Sequence, residues 1–117
     1  MVDYKRADRV SDLLKKEISQ MLLREIKDPR IGFVTITDVK VSDDLRFASV
    51  FFSLVGGKKE LEETVKGLNS ASSFIKKKLG KRLRMRYIPT IAFKFDSSLE
   101  YGNHINKVLR SLKLIQD

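Results

Sequence analysis

Residues 56–86 read GGKKELEETVKGLNSASSFIKKKLGKRLRMR, and the order of elements in the chain turns on how this stretch is divided. Gly56-Gly57 breaks whatever precedes it, and from Lys58 to Asn69 the apolar residues Leu61, Val65 and Leu68 recur at a helical period. Asn69-Ser70-Ala71-Ser72-Ser73 then offers four residues that favour caps over helix interiors, because their short polar side chains compete for the backbone. Beyond it Ala71, Ile75, Leu79 and Leu83 recur every four residues to Arg84. The spacing predicts two helices that meet at a kink. In that geometry the first N–H groups of the second helix lack intrahelical partners and make an anion site beside Lys76 and Lys77, with hydroxyls from Ser70, Ser72 and Ser73.

The second helix carries most of the charge. Lys76, Lys77, Lys78, Lys81, Arg82, Arg84 and Arg86 place seven positive charges in eleven residues with no carboxylate among them, and the other 106 residues bring only +2 to a net +9. Lys77, Lys81 and Arg84 fall opposite the apolar stripe at i, i+4 and i+7. A solubilising face normally mixes the signs and gains i,i+4 ion pairs, whereas a one-sign cluster repels itself until it meets a polyanion. Nucleic acid is the expected partner, since a phosphate backbone releases condensed counterions on contact. An acidic protein surface is the second class to weigh. An anionic membrane is a third, weakened because Ala71, Ile75 and Leu79 are required for the helix's own core and leave little to insert into lipid.

Working outward, Arg6 to Ile26 reads as an opening helix through Val10, Leu13, Leu14, Ile18, Met21, Leu22 and Ile26, stopped by Asp28-Pro29. Gly32 to Val41 is rich in β-branched residues and reads as a strand. Ser42-Asp43-Asp44 turns the chain, and Arg46 to Leu54 returns with Ala48, Val50, Phe52 and Leu54 on one face, an antiparallel hairpin. Thr90 to Phe95 is a third strand with Ile91, Phe93 and Phe95 together, and about Leu99 to Leu112 is a last helix. Arg46 and the aromatics after it loosely resemble the stacking strand of an RRM, but the element order disagrees. Phe52 is expected in the core, with Phe47 and Phe51 packed under a helix.

At 117 residues and 42% hydrophobic, the chain suits a single domain over 1–117. Without cysteine there is no disulfide, thiolate metal site or cysteine nucleophile, and His104 alone cannot make a histidine metal cluster. Gly56-Gly57-Lys58 lacks P-loop spacing, and Asp96, Ser98 and Glu100 read as a turn and helix start rather than catalytic groups. No metal, cofactor, catalytic residue or small-molecule substrate is expected. No apolar run approaches the ~18 residues of a membrane span, and the N-terminus lacks the apolar core of a signal peptide, so a cytoplasmic location is expected.

The order helix, strand, strand, helix, kink, helix, strand resembles a type II KH domain, an α+β RNA-binding fold, although no Gly-x-x-Gly loop joins the two helices. Ala71-Ser72-Ser73 followed by Phe74-Ile75-Lys76 is similar to the Ala-x-Gly kink of the ribosome-binding factor A family, with Ser73 where that family usually has glycine. Asp28-Pro29-Arg30, Val41-Ser42 with Asp44, Leu79 and Arg82 also resemble the family pattern. The most specific run is Pro89-x-Ile91-x-Phe93-x-x-Asp96-x-Ser98-x-Glu100-x-Gly102-x-x-Ile105, because its spacing is long and mixes polar with apolar positions. The resemblance implies a non-catalytic, monomeric factor that binds the small ribosomal subunit and its ribosomal RNA during late maturation and processing, with a role in growth in the cold. It also implies a contact surface at Ser70, Ala71, Ser72, Ser73, Lys76, Lys77, Lys81, Arg82, Arg84 and Arg86, with Lys5 and Arg6 as additions.

Overall fold

The computed structural model describes residues 5–96, and the C-terminal helix expected after Leu99, with His104, lies outside them. Within this range helix α1 (Arg6–Arg24) is followed by strands β1 (Val34–Val41) and β2 (Phe47–Leu54), helix α2 (Lys58–Arg82) and strand β3 (Thr90–Phe95). The three strands form a mixed sheet in the order β1-β2-β3, in which β2 pairs antiparallel with β1 and parallel with β3. The α+β arrangement is the expected one.

The expected division of α2 is not observed. Lys58 to Arg82 is one helix of 25 residues, so no second N-terminus, and no anion site made by one, exists at Asn69 to Ser73. The physical reason is that Leu61, Val65, Leu68, Ala71, Ile75 and Leu79 keep three- and four-residue spacings without interruption, and Leu68, Ile75 and Leu79 are fully buried on that stripe. Burying each such side chain stabilises by about 1.5–3 kcal/mol, which outweighs the few tenths by which serine or asparagine disfavours a helix interior. Ser72 accommodates itself by donating its hydroxyl to the Asn69 carbonyl at 2.7 Å.

Both helices cover the same face of the sheet. Leu14, Ile18 and Met21 of α1 meet Ile36 and Val39 of β1, Ala48, Val50 and Phe52 of β2, and the α2 stripe. Ile91, Phe93 and Phe95 stand beside Ala48, Val50 and Phe52 in register, and Phe95 meets the Phe52 ring edge-on at 5.9 Å. Ile36 and Val39 are three apart, an odd spacing that would send one of them to the wrong face of a regular strand. A bulge at Thr37 corrects the parity: Ile36 opposes Phe52 and Val39 opposes Val50. The Thr37 hydroxyl donates to the Asp96 carboxylate at 2.6 Å, and the Asp96 N–H donates to the Phe52 carbonyl at 2.7 Å, so the acidic residue of the Pro89-to-Ile105 run fastens the end of the sheet.

Two glycines are demanded by geometry. Gly56 has φ +146°, and a Cβ there would lie 2.7 Å from that of Glu60. Gly67 lets the 28–33 loop lie against α2, since a Cβ would sit 2.7 Å from Ile31 Cγ1. Thr64 holds the same loop by donating to the Arg30 carbonyl at 3.3 Å, and Asp28 grips Arg30 through its N–H, Nε and Nη2. The Arg30 side chain, followed by its N–H, holds the Asp28 carboxyl below its ordinary value.

Candidate nucleic-acid interface

The outward face of α2 is set by its buried one. Ser70, Ser73, Lys77 and Lys81 recur at spacings of three, four and four on the side away from Leu68, Ile75 and Leu79, and all four are exposed. Ala71 is half-buried against the core, and Ser72, also half-buried, has its hydroxyl on the Asn69 carbonyl. Those two expected contact residues offer less surface to a ligand than their exposed neighbours.

After Leu83 the chain runs to β3 through a segment anchored at Leu83, Met85, Ile88 and Pro89. Pro89 is fully buried, and the N–H of Thr90 donates to the Arg46 carbonyl at 2.8 Å. With those residues held inside, Arg84, Arg86 and Tyr87 project outward. Ser73, Lys76 and Lys77 of α2 and Arg86 and Tyr87 of this segment line one shallow depression of about 460 Å³. Four of the expected residues thus converge, although ten or more positions separate Arg86 from Ser73.

Arg82 does not join them. Its guanidinium lies between Glu25 at 2.5 Å and Glu17 at 3.7 Å, fastening α2 to α1, and its hydrogen bond holds the Glu25 carboxyl below the ordinary value. Lys78 lies over the Phe74 ring at 5.5 Å. By contrast Lys76, Lys77, Lys81, Arg84 and Arg86 have no carboxylate within 4.0 Å among the described residues. Cations in a helix's last turn are favoured by its dipole, which accounts for Lys81 and Arg82 without a ligand. Lys76 and Lys77 lie beyond that reach, and Arg84 and Arg86 follow the helix end.

Sequence reasoning missed a second depression of about 710 Å³ that shares Arg86, Tyr87 and Ile88 with the first. Arg6, from the start of α1, meets Arg46, Phe47, Met85, Arg86 and Tyr87 there, while Lys5 is exposed beside it at the α1 N-cap. Phe47 is not under a helix as expected but 60% exposed, and Tyr87 is 72% exposed, with the Arg86 guanidinium 5.4 Å from the centre of its ring. Phe51 is half-buried with Lys40 over its ring at 5.9 Å, and Phe52 is in the core as expected. The signal in the sequence was Arg46-Phe47 and Arg86-Tyr87, two adjacent cation–aromatic pairs. Among the described residues no group of three or more His, Asp or Glu could hold a metal, and no helix is long and apolar enough to cross a membrane.

Fold and surface together define a small α+β protein in which Arg6, Arg46 and Arg86 line one depression with the exposed rings of Phe47 and Tyr87, and Lys76 and Lys77 line another with Arg86 and Tyr87. The chain belongs to the ribosome-binding factor A family, whose model matches residues 6–109. Ribosome-binding factor A of Halothermothrix orenii is 53% identical over 108 residues, covering 92% of this chain and 88% of that protein. That of Natranaerobius thermophilus is 49% identical over 112 residues, covering 96% and 86%. Among solved structures, a Thermotoga maritima protein determined by solution NMR superposes with a TM-score of 0.73 at 33% identity, over 86% of this chain and 95% of that one. Ribosome binding factor A of Thermus thermophilus, as a homology model fitted into the cryo-EM map of a 30S complex, shares the fold with a TM-score of 0.67 at 24% identity, over 80% and 97%.

Proposed function

We propose that this protein is a non-catalytic assembly factor that binds the small ribosomal subunit through its ribosomal RNA during late maturation and processing. It acts in the cytoplasm as a monomer of one domain, and supports ribosome assembly in the cold. The observation that carries this reading is the set of exposed cations at Lys76, Lys77, Lys81, Arg84 and Arg86, unpaired with any described carboxylate, of which Lys76, Lys77 and Arg86 line one depression. The helix dipole accounts for Lys81 alone among them, and a one-sign set of this kind attracts a phosphate backbone. Membership of a family named for ribosome binding, and the 30S complex of the Thermus thermophilus relative, supply the partner.

In this reading Ser70, Ser73, Lys76, Lys77, Lys81, Arg84 and Arg86 touch RNA, with Lys5 and Arg6 at the margin. Ala71, Ser72 and Arg82 hold the surface in shape. The lysines act as mobile point charges on phosphates, whereas Arg84 and Arg86 can engage two phosphate oxygens at once. The test is binding of the purified full chain to naked small-subunit ribosomal RNA and to an unrelated RNA of equal length at the same salt. Tighter binding to the ribosomal RNA is expected. Retention on intact small subunits without affinity for either RNA would overturn the reading and favour an acidic protein partner.

A further inference from the structure

The larger depression is not explained by phosphate binding alone. Its walls combine Phe47, Met85 and Tyr87 with Arg6, Arg46 and Arg86, and the two rings are more than half exposed. A phosphate site has no use for exposed rings, and a purely apolar groove would not be ringed by three guanidiniums. Asp44, the one carboxylate in the lining, already accepts the Ser42 hydroxyl at 2.6 Å and the Arg46 N–H at 3.1 Å. Both bonds end on Oδ1 and tie the carboxylate into the turn, and together, the Ser42 hydroxyl first, they hold it below its ordinary value.

The turn itself is shaped to present this wall. Leu45 is the non-glycine residue with positive φ, at 61°, among the described residues. A branched side chain enters that region rarely, and it is held here by the Leu45 N–H on the Ser42 carbonyl at 2.8 Å and by the Phe47 N–H on the Ser42 hydroxyl at 3.0 Å. At about 710 Å³ the depression is in the size range that encloses a small organic molecule. Aromatic faces that offer stacking, beside guanidiniums placed for phosphates, are the combination that recognises an unstacked nucleotide.

We propose that this depression receives one unpaired RNA base, stacked on Tyr87 and Phe47, with Arg6, Arg46 and Arg86 on the phosphates that flank it. The inference rests on the RNA reading above and gives it a substrate class: RNA with a single-stranded or bulged nucleotide rather than uninterrupted duplex. Duplex phosphates would still engage Lys76, Lys77 and Lys81.

The experiment uses the full chain, with a single-stranded 12-nucleotide RNA and a duplex of the same length as probes, and with Tyr87→Phe, Tyr87→Leu and Phe47→Leu as variants. The parent should prefer the single strand. Tyr87→Phe should keep that preference, whereas Tyr87→Leu and Phe47→Leu should each weaken single-strand binding roughly tenfold, as expected when a base loses its stacking ring. Duplex binding and the salt slope should not move. A 2-aminopurine in the single strand should be quenched by the parent and by Tyr87→Phe, and less by either leucine variant. Parent binding to both RNAs with equal affinity for Tyr87→Phe and Tyr87→Leu would overturn the base pocket and leave the RNA reading standing. No binding of the parent to either RNA would overturn both. Loss of intact-subunit binding in the leucine variants, with single-strand affinity unchanged, would make the occupant a protein segment and overturn the proposal.

Discussion

Along the first half of α2, Lys58 to Leu68, three glutamates stand among three lysines, whereas from Asn69 to Arg82 there are five cations and no carboxylate. The first half mixes its charges on an exposed face and anchors the neighbouring chain: Glu60 accepts the Gly57 N–H at 2.7 Å, the buried Thr64 holds the Arg30 carbonyl, and Gly67 admits Ile31. The second half shares the same buried stripe, yet among the described residues only Arg82 is tied to another element by an ion pair. In the proposed reading this helix is an anchor at one end and a contact surface at the other, and the two are expected to respond separately to substitution.

The largest effect should come from the stripe itself. Leu68→Ala removes a fully buried side chain at the junction of the halves and should cost about 2–5 kcal/mol in denaturant unfolding, with the salt slope of RNA binding unchanged. A slope that flattened with it would mean that anchor and surface are not separable. Ala71→Leu, next on the stripe, should cost about 1–3 kcal/mol by overpacking, measured in the same titration.

These substitutions bear on what the sequence could disclose. The strands, the hairpin, both covering helices and the charged stretch were legible, because each follows from spacing along a continuous segment. The break in α2 was misread because cap-favouring residues at 69–73 drew more weight than the unbroken series Leu68, Ala71, Ile75, Leu79. A local preference worth tenths of a kcal/mol lost to burial worth several. The bulge at Thr37 was written in the odd spacing of Ile36 and Val39, but only pairing with β2 shows which residue is extra. Arg82 could not be sorted from its neighbours, since Glu17 and Glu25 reach it from another helix. The Phe47–Tyr87 depression joins three distant segments, and no local pattern places them together.

Ser73→Gly tests the continuity of α2 more finely. It should lower stability by about 0.5 kcal/mol through the poorer helix propensity of glycine. A gain in stability would show that the helix at Ser73 is strained.

The smallest effect concerns the carboxylates held by hydrogen bonds at the surface, one between the helices, one in the 28–33 loop and one at the start of α2. Glu25, Asp28 and Glu60 are each held below their ordinary values, by the Arg82 side chain, the Arg30 side chain and the Gly57 N–H respectively. A depressed folded value contributes stability that is complete above the unfolded one, so it should fade as pH drops below 4.5 for the glutamates and 3.8 for Asp28. Arg82→Gln should make the acid limb of the parent's stability profile shallower and leave RNA affinity nearly unchanged. An RNA loss as large as that of Lys77→Ala would return Arg82 to the contact surface.

If the second half of α2 and the segment after it bind phosphate through cations that no described carboxylate pairs, the salt dependence of RNA affinity reports it. With about five phosphates neutralised, log K against log salt should have a slope of roughly −3 to −5. Replacing Lys76, Lys77 and Arg86 together by alanine should flatten that slope by about two to three units, one contact for each cation, while the unfolding midpoint stays in place. A parent slope near zero, or a slope the triple variant leaves intact, would contradict the account.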